Sequence, residues 1–166
     1  MEKTAFNGMT VHTNGNMPKT GENAPDFTAV KNDLSELTLS SMRGKRVVMN
    51  IFPSLDTGVC ATSVRKFNQA AASLTNTAVL ALSLDLPFAQ GRFCTTEGIE
   101  NVTPLSLFRN SEFAERYGLL MTDGPLKGLM ARCVIVVNED GKIIYEQLVP
   151  EITQEPDYEA ALAVLK

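Results

Sequence analysis

The sequence predicts a three-layer α/β domain with a mixed central sheet, and three observations lead there. The runs Val47 to Phe52, Val79 to Leu84 and Val134 to Val137 are almost continuously apolar, the signature of strands covered on both faces. Four segments read as the covering helices: Cys60 to Leu74, Pro87 to Glu97, Ser111 to Tyr117 and Asp157 to Leu165. The order is strand, helix, strand, helix, strand, helix, then a hairpin and a final helix, which suits a sheet sandwiched between helical layers.

At the N-terminus, Asn7-Gly8 stands between Thr4-Ala5-Phe6 and Thr10-Val11-His12 and reads as a tight hairpin turn, with Asn14-Gly15-Asn16 ending the unit. Residues 1–16 are therefore expected to be a hairpin extension that decorates a single domain spanning 1–166. A loop through Pro18, Gly21 and Pro25 follows, then short strand patterns at Phe27 to Val30 and Leu37 to Leu39; the main fold is expected to begin near Lys45. Pro87 suits the first turn of its helix, and Glu155-Pro156-Asp157 is a start signal for the last one. Asn138-Glu139-Asp140-Gly141 gives a hairpin turn into Lys142 to Leu148. There is no internal repeat and no low-complexity tract.

A chain of 166 residues that is 44% hydrophobic can bury one core and needs no second domain. Its net charge of −4 carries no block of like charge, which argues against nucleic acid and against a basic membrane surface as partners. Met1 to Gly8 lacks the apolar core of a signal peptide and no later run approaches a membrane span, so a cytoplasmic location is expected. Metal binding is disfavoured, because no two cysteines lie at ligand spacing and His12 is the only histidine. A cysteine hydrolase would need a histidine base, and His12 sits in the predicted hairpin, where a tethered surface side chain is expected.

Three cysteines remain to be explained. A free cysteine is usually a small buried hydrophobe, and Cys133, which opens the run Val134-Ile135-Val136-Val137, fits that description. Cys60 does not. It follows Gly58 where an apolar strand pattern gives way to a helical one, a junction whose side chains point into the crevice at the carboxyl ends of the strands. In the first turn of a helix, the unpaired backbone donors and the positive end of the dipole favour thiolate over thiol. An ordinary thiol, with a pKa of about 8.5, is only a few per cent ionised near neutrality, so this activation raises the nucleophile's population by roughly tenfold or more. Exposure of Cys60 is expected to accompany it. Position alone leaves Cys94 open between core and chemistry, since Phe88 to Cys94 mixes apolar and polar residues.

The run Asn50-Ile51-Phe52-Pro53-Ser54-Leu55-Asp56-Thr57-Gly58-Val59-Cys60 contains the peroxiredoxin pattern Pro-x-x-x-Thr-x-x-Cys. Phe88-Ala89-Gln90-Gly91-Arg92-Phe93-Cys94, the stretch from Asp123 to Arg132 and the tail from Glu151 also resemble the bacterial thiol peroxidases, an atypical two-cysteine peroxiredoxin branch. Four separated segments agree in type, order and spacing, and the likeness covers nearly the whole chain.

The resemblance implies a thioredoxin-like fold, no metal or organic cofactor, a homodimer and reduction of hydroperoxides. It makes Cys60 the peroxidatic cysteine, attacking the terminal peroxide oxygen to become a sulfenic acid, and Cys94 the resolving cysteine that condenses with it in an intrachain disulfide. Arg132 matches the family arginine, whose planar fork can hold both sulfur and peroxide oxygen; by itself it would read as a surface residue ending a loop. Thr57 matches the hydroxyl that orients thiolate and peroxide, a role compatible with capping the helix. Pro53 matches the proline that shields the pocket, and it would also end a strand by lacking a donor. Thioredoxin is the implied reductant, through thiol exchange at an exposed bond. The likeness favours organic peroxides with hydrogen peroxide also accepted, and Leu55, Phe88, Phe93 and Met130 are expected to form an apolar rim. A disulfide oxidoreductase lacks support without a Cys-x-x-Cys motif. The alternative from another class is a peroxide-sensing relay, in which oxidised Cys60 hands its disulfide to a partner protein.

Overall fold

The computed structural model describes residues 1–166. Strands β1 (Lys3–Phe6) and β2 (Met9–His12) pair antiparallel about Asn7-Gly8, both at positive φ (51° and 81°), the backbone a two-residue hairpin turn requires. Next come β3 (Thr28–Val30), β4 (Glu36–Thr38) and a short 3-10 turn at Leu39–Met42. The remainder runs β5 (Arg46–Ile51), α1 (Gly58–Ala71), β6 (Thr77–Ser83), α2 (Pro87–Glu97), β7 (Thr103–Ser106), α3 (Glu112–Tyr117), β8 (Cys133–Val137), β9 (Ile143–Leu148) and α4 (Tyr158–Ala163).

Seven strands form one mixed sheet in the order β4-β3-β7-β6-β5-β8-β9, with β5, β6 and β7 parallel to their neighbours in that trio and β8 antiparallel to β5. The three apolar runs occupy its centre for a physical reason. Along β5, Val47, Met49 and Ile51 enter a core shared with Phe113 and Tyr117 of α3, while Val48 enters a second core shared with Val64 and Phe67 of α1 and Ala161 of α4. β6 and β8 alternate in the same way, so the apolar side chains of these strands find partners on one face or the other. Each large apolar side chain fully buried there contributes about 1.5–3 kcal/mol.

Two expectations are corrected. The sheet does not begin near Lys45: β3 pairs with β7 through Val30↔Ser106 and with β4 through Thr28↔Thr38 to Val30↔Glu36, so residues 28–38 form its edge. These strands have three residues each, too few for periodicity to reveal them as part of the main sheet. β7 carries Pro104, which hides it from strand signals; pairing with β3 is confined to Ser106, so the missing proline N–H disrupts no ladder on that side. Helix bounds differ modestly. α1 starts at Gly58, and α4 starts after Asp157, whose carboxylate caps it by accepting from the Ala160 N–H at 3.0 Å.

Candidate active site

The antiparallel register that pairs Ile51 with Cys133 carries Arg132 to the carboxyl end of β5, where the chain turns through Pro53–Thr57 into α1. There Arg132 and Cys60 meet. The Arg132 Nη2–H donates to Cys60 Sγ at 3.3 Å, and Nε–H donates to the Ile152 carbonyl at 2.9 Å, which fixes the plane of the guanidinium. Nη1 is buried with no partner. Arg132 is only 2% exposed, far from the surface residue its type suggests.

Cys60 is the third residue of α1, whose first turn has no acidic residue and no side-chain cap. The positive end of the helix is therefore left for the sulfur. The helix is anchored beneath by a buried chain of bonds: Asn50 of β5 donates to Ser63 Oγ at 3.1 Å, and Ser63 Oγ donates to the Cys60 carbonyl at 2.7 Å. Cys60 is fully buried at 0% exposure, which corrects the expectation of an exposed thiol. It packs in the core with Phe52, Leu55, Val64 and Phe67.

Thr57 is the N-cap residue, and its hydroxyl donates to the Ser54 carbonyl at 2.9 Å, bracing the loop before α1. Pro53 is buried and lines a cavity of about 260 Å³ with Thr57, Val59, Arg132, Phe6, Leu126 and Ile152. The apolar walls are not the expected four. Leu55 and Met130 are core residues, Phe88 is 68% exposed on α2, and Phe93 packs beside Cys94 with the Arg65 guanidinium over its ring. Phe6 comes from β1, so the N-terminal hairpin is a wall of this cavity and more than a decoration. The Glu151 carboxylate holds the turn there, accepting from the N–H groups of Gly8 (2.8 Å) and Asn7 (3.3 Å), while the Ile152 N–H donates to the Ala5 carbonyl.

Cys94 sits in the last turn of α2, which ends at Gly98 in the left-handed region (φ 66°), with the Gly98 and Ile99 N–H groups both on the Cys94 carbonyl. Its half-buried side chain packs on the core that holds Cys60, and burial pushes the thiol up to about 11. It also lines two surface clefts, one with Phe88 and Arg92 and one with Val102 and Pro104. All three cysteines are free; Cys133 is fully buried in the opposite core, where burial pushes its thiol far up. His12 is tethered at the hairpin's edge, Nδ1 lying 2.6 Å from Asp123 Oδ2.

Of the residues singled out from sequence, the structure brings Cys60, Arg132, Thr57 and Pro53 together and leaves Cys94 outside that cavity on α2, while Phe6, Asn50, Ser63 and Ile152 were not singled out. Of these, Asn50 had a readable signal, as the single polar residue inside an apolar strand. Ser63 reaches the site within α1, three residues after Cys60, and Phe6 and Ile152 reach it through tertiary contacts.

The sequence model of the Redoxin family matches residues 19–162. A thiol peroxidase of Corynebacterium glutamicum is 59% identical over 165 residues, covering 99% of either chain. Among solved structures, a peroxiredoxin-like protein from Aquifex aeolicus superposes with a TM-score of 0.94 at 39% identity, over 99% of this chain and 96% of that one. A thiol peroxidase from Chromobacterium violaceum gives a TM-score of 0.90 at 21% identity, over 98% and 94%; the fold is shared. With its seven-stranded sheet and a cysteine held by an arginine at the first turn of α1, the chain belongs to the redoxin family, in the thiol peroxidase branch of the peroxiredoxins.

Proposed function

We propose that this chain is a thiol-dependent peroxidase in which Cys60 is the nucleophile and Cys94 resolves it. The observation that carries the assignment is the 3.3 Å bond from buried Arg132 to Cys60 Sγ beside a cavity large enough for a hydroperoxide. The Cys60 thiolate attacks the terminal oxygen of the hydroperoxide. An S–O bond forms as the O–O bond breaks; the departing oxygen takes a proton to leave as alcohol or water, and Cys60 becomes a sulfenic acid. Negative charge moves from sulfur to the departing oxygen during this step. A guanidinium with one N–H on sulfur and a second N–H unused can follow that charge, stabilising the transition state more than the ground state. Thr57 and Pro53 complete the pocket, the first bracing the loop and the second excluding water, which slows overoxidation.

The Cys94 thiol then condenses with the sulfenic acid, forming the disulfide and releasing water. Since Cys60 is buried in α1 and Cys94 lies in α2, local unwinding of either segment accompanies the bridge. The two clefts that Cys94 lines give a dithiol reductant of the thioredoxin type its approach. The apolar cavity walls favour alkyl hydroperoxides over hydrogen peroxide, both being substrates. The reading includes a homodimer, one domain over 1–166 and a cytoplasmic location; no helix is long and apolar enough to cross a membrane.

Cys60→Ser is expected to abolish peroxide consumption even in a single turnover. Cys94→Ser is expected to keep that first turnover and lose thioredoxin-coupled cycling with cumene hydroperoxide. Retained turnover in the first variant reassigns the nucleophile, and undiminished cycling in the second removes Cys94 from its role.

A further inference from the structure

Outside the residues already assigned, a partly buried polar network centres on Asp85, between β6 and α2. Its carboxylate accepts from Ser54 Oγ at 2.7 Å and from the Leu55 N–H at 2.8 Å, both in the loop that leads to Cys60. It also accepts from Ser83 Oγ at 2.8 Å, and Ser83 Oγ accepts in turn from Gln90 Nε2 at 3.2 Å. Gln90 is fully buried in α2, one helical turn before Cys94 and on the same helix face. The Asp85 carbonyl accepts from Ser106 Oγ at 2.6 Å, tying the same node to β7. A continuous path of hydrogen bonds thus joins the approach to one cysteine with the helix that bears the other.

We propose that Asp85 is a positioning residue whose carboxylate locks the Ser54–Leu55 loop to the start of α2, and so sets the balance between attack on peroxide and formation of the disulfide. The inference rests on the roles proposed above for Cys60 and Cys94. Bonds to an ionised acceptor are the strong ones, and those at Asp85 are partly buried. Arg65 of α1 also reaches α2, pairing with both Glu97 oxygens at 3.1 and 2.8 Å and lying over the Phe93 ring, a tie that substitution of Asp85 leaves in place. Locked, the loop holds Pro53 and Thr57 around the reacting sulfur; released, the loop and α2 are free to let the sulfurs approach. Removing hydrogen bonds to a charged group raises the open population by roughly tenfold or more.

The experiment measures two rates by stopped flow and mass spectrometry: oxidation of Cys60 by cumene hydroperoxide, and closure of the Cys60–Cys94 disulfide. In Asp85→Ala the first is expected to fall and the second to rise, each by roughly tenfold, with less sulfinic acid at high peroxide. Asp85→Asn, which keeps the shape and an acceptor for the Leu55 N–H, should lie between Asp85→Ala and wild type, and it decides the matter should Asp85→Ala fail to fold. Damage of a merely structural kind lowers both rates together. That pattern, or any other than opposed changes, overturns the inference. A wild-type protein that forms no Cys60–Cys94 disulfide overturns the cysteine assignment itself, and is distinguishable because it needs no Asp85 variant.

Discussion

Arg132 acts through geometry as much as charge. Its Nε–H is committed to the Ile152 carbonyl, so the two terminal nitrogens are aimed and cannot rotate away, one of them onto Cys60. Lysine would keep the charge but offers a flexible point donor that cannot hold Ile152 and sulfur together. Arg132→Lys is expected to slow Cys60 oxidation by roughly tenfold or more, the loss that follows from one hydrogen bond to a charged group; equal rates in stopped flow would show that the planar fork is unimportant. Cys94 makes a second residue-scale prediction. Burial raises its thiol from its ordinary value to about 11, so in the folded state it keeps its proton where the unwound segment would lose it. The unwound form therefore binds fewer protons between those values, and α2 loses stability as pH rises through that window. Disulfide closure should accelerate over the same range, as trapping with a thiol-blocking reagent at timed intervals would reveal. Much of this site is written in the sequence: Pro53, Thr57 and Cys60 lie within eight residues and carry a recognisable spacing. The burial of Cys60 is not, because Arg132, bonded to its sulfur, and part of the core it joins, such as Val134 and Ala161, come from far along the chain.

The N-terminal hairpin is the element whose role changes most between sequence and structure. Its turn looks like an ornament because β1 and β2 form a separate two-stranded sheet. Thr4, Ala5 and His12 bond it to the body of the molecule, and its turn is pinned by Glu151, whose carboxylate is held down to about 2 by the N–H of Thr153, then by that of Gly8 and, more weakly, by the Thr153 hydroxyl and the Asn7 N–H. A carboxylate with a depressed value stabilises the folded form above its ordinary value of 4.5, and that contribution fades as pH falls toward about 2. The latch is therefore expected to loosen across that acid interval and to be firm at neutrality. Amide exchange at Asn7 and Gly8 should quicken there before the central sheet responds, and Glu151→Gln should show the faster exchange already at neutral pH. Because Phe6 rides on this hairpin, the same variant is expected to weaken use of a bulky alkyl hydroperoxide more than use of hydrogen peroxide.

For the whole molecule, the division of labour lies between a rigid sheet and two adaptable helix segments. β5, β6 and β8 are buried on both faces, whereas the approach to α1 and the last turn of α2 are partly open. Oxidation should leave amide protection in the three strands unchanged and lower it in the first turn of α1 or in α2; protection lost in the sheet would contradict this separation. Closing a loop of about 35 residues also constrains the unfolded chain by about 3 to 4 kcal/mol in the chain-entropy model, which offsets local melting. The same division explains what the sequence disclosed. The central strands were legible because continuous apolar runs admit few other readings, and α2 because Pro87 marks its first turn. The short strands β3 and β4 were legible as strands but not as the edge of the main sheet, and the proline-bearing β7 was obscure, since three or four residues carry too little periodicity and their pairing depends on partners distant in the chain. The solitary histidine offers a convenience of its own. His12 lies on the hairpin that carries Phe6, against Asp123, so its one imidazole resonance is a built-in reporter, needing no label or mutation, of whether that hairpin shifts when peroxide or reductant is added at constant pH.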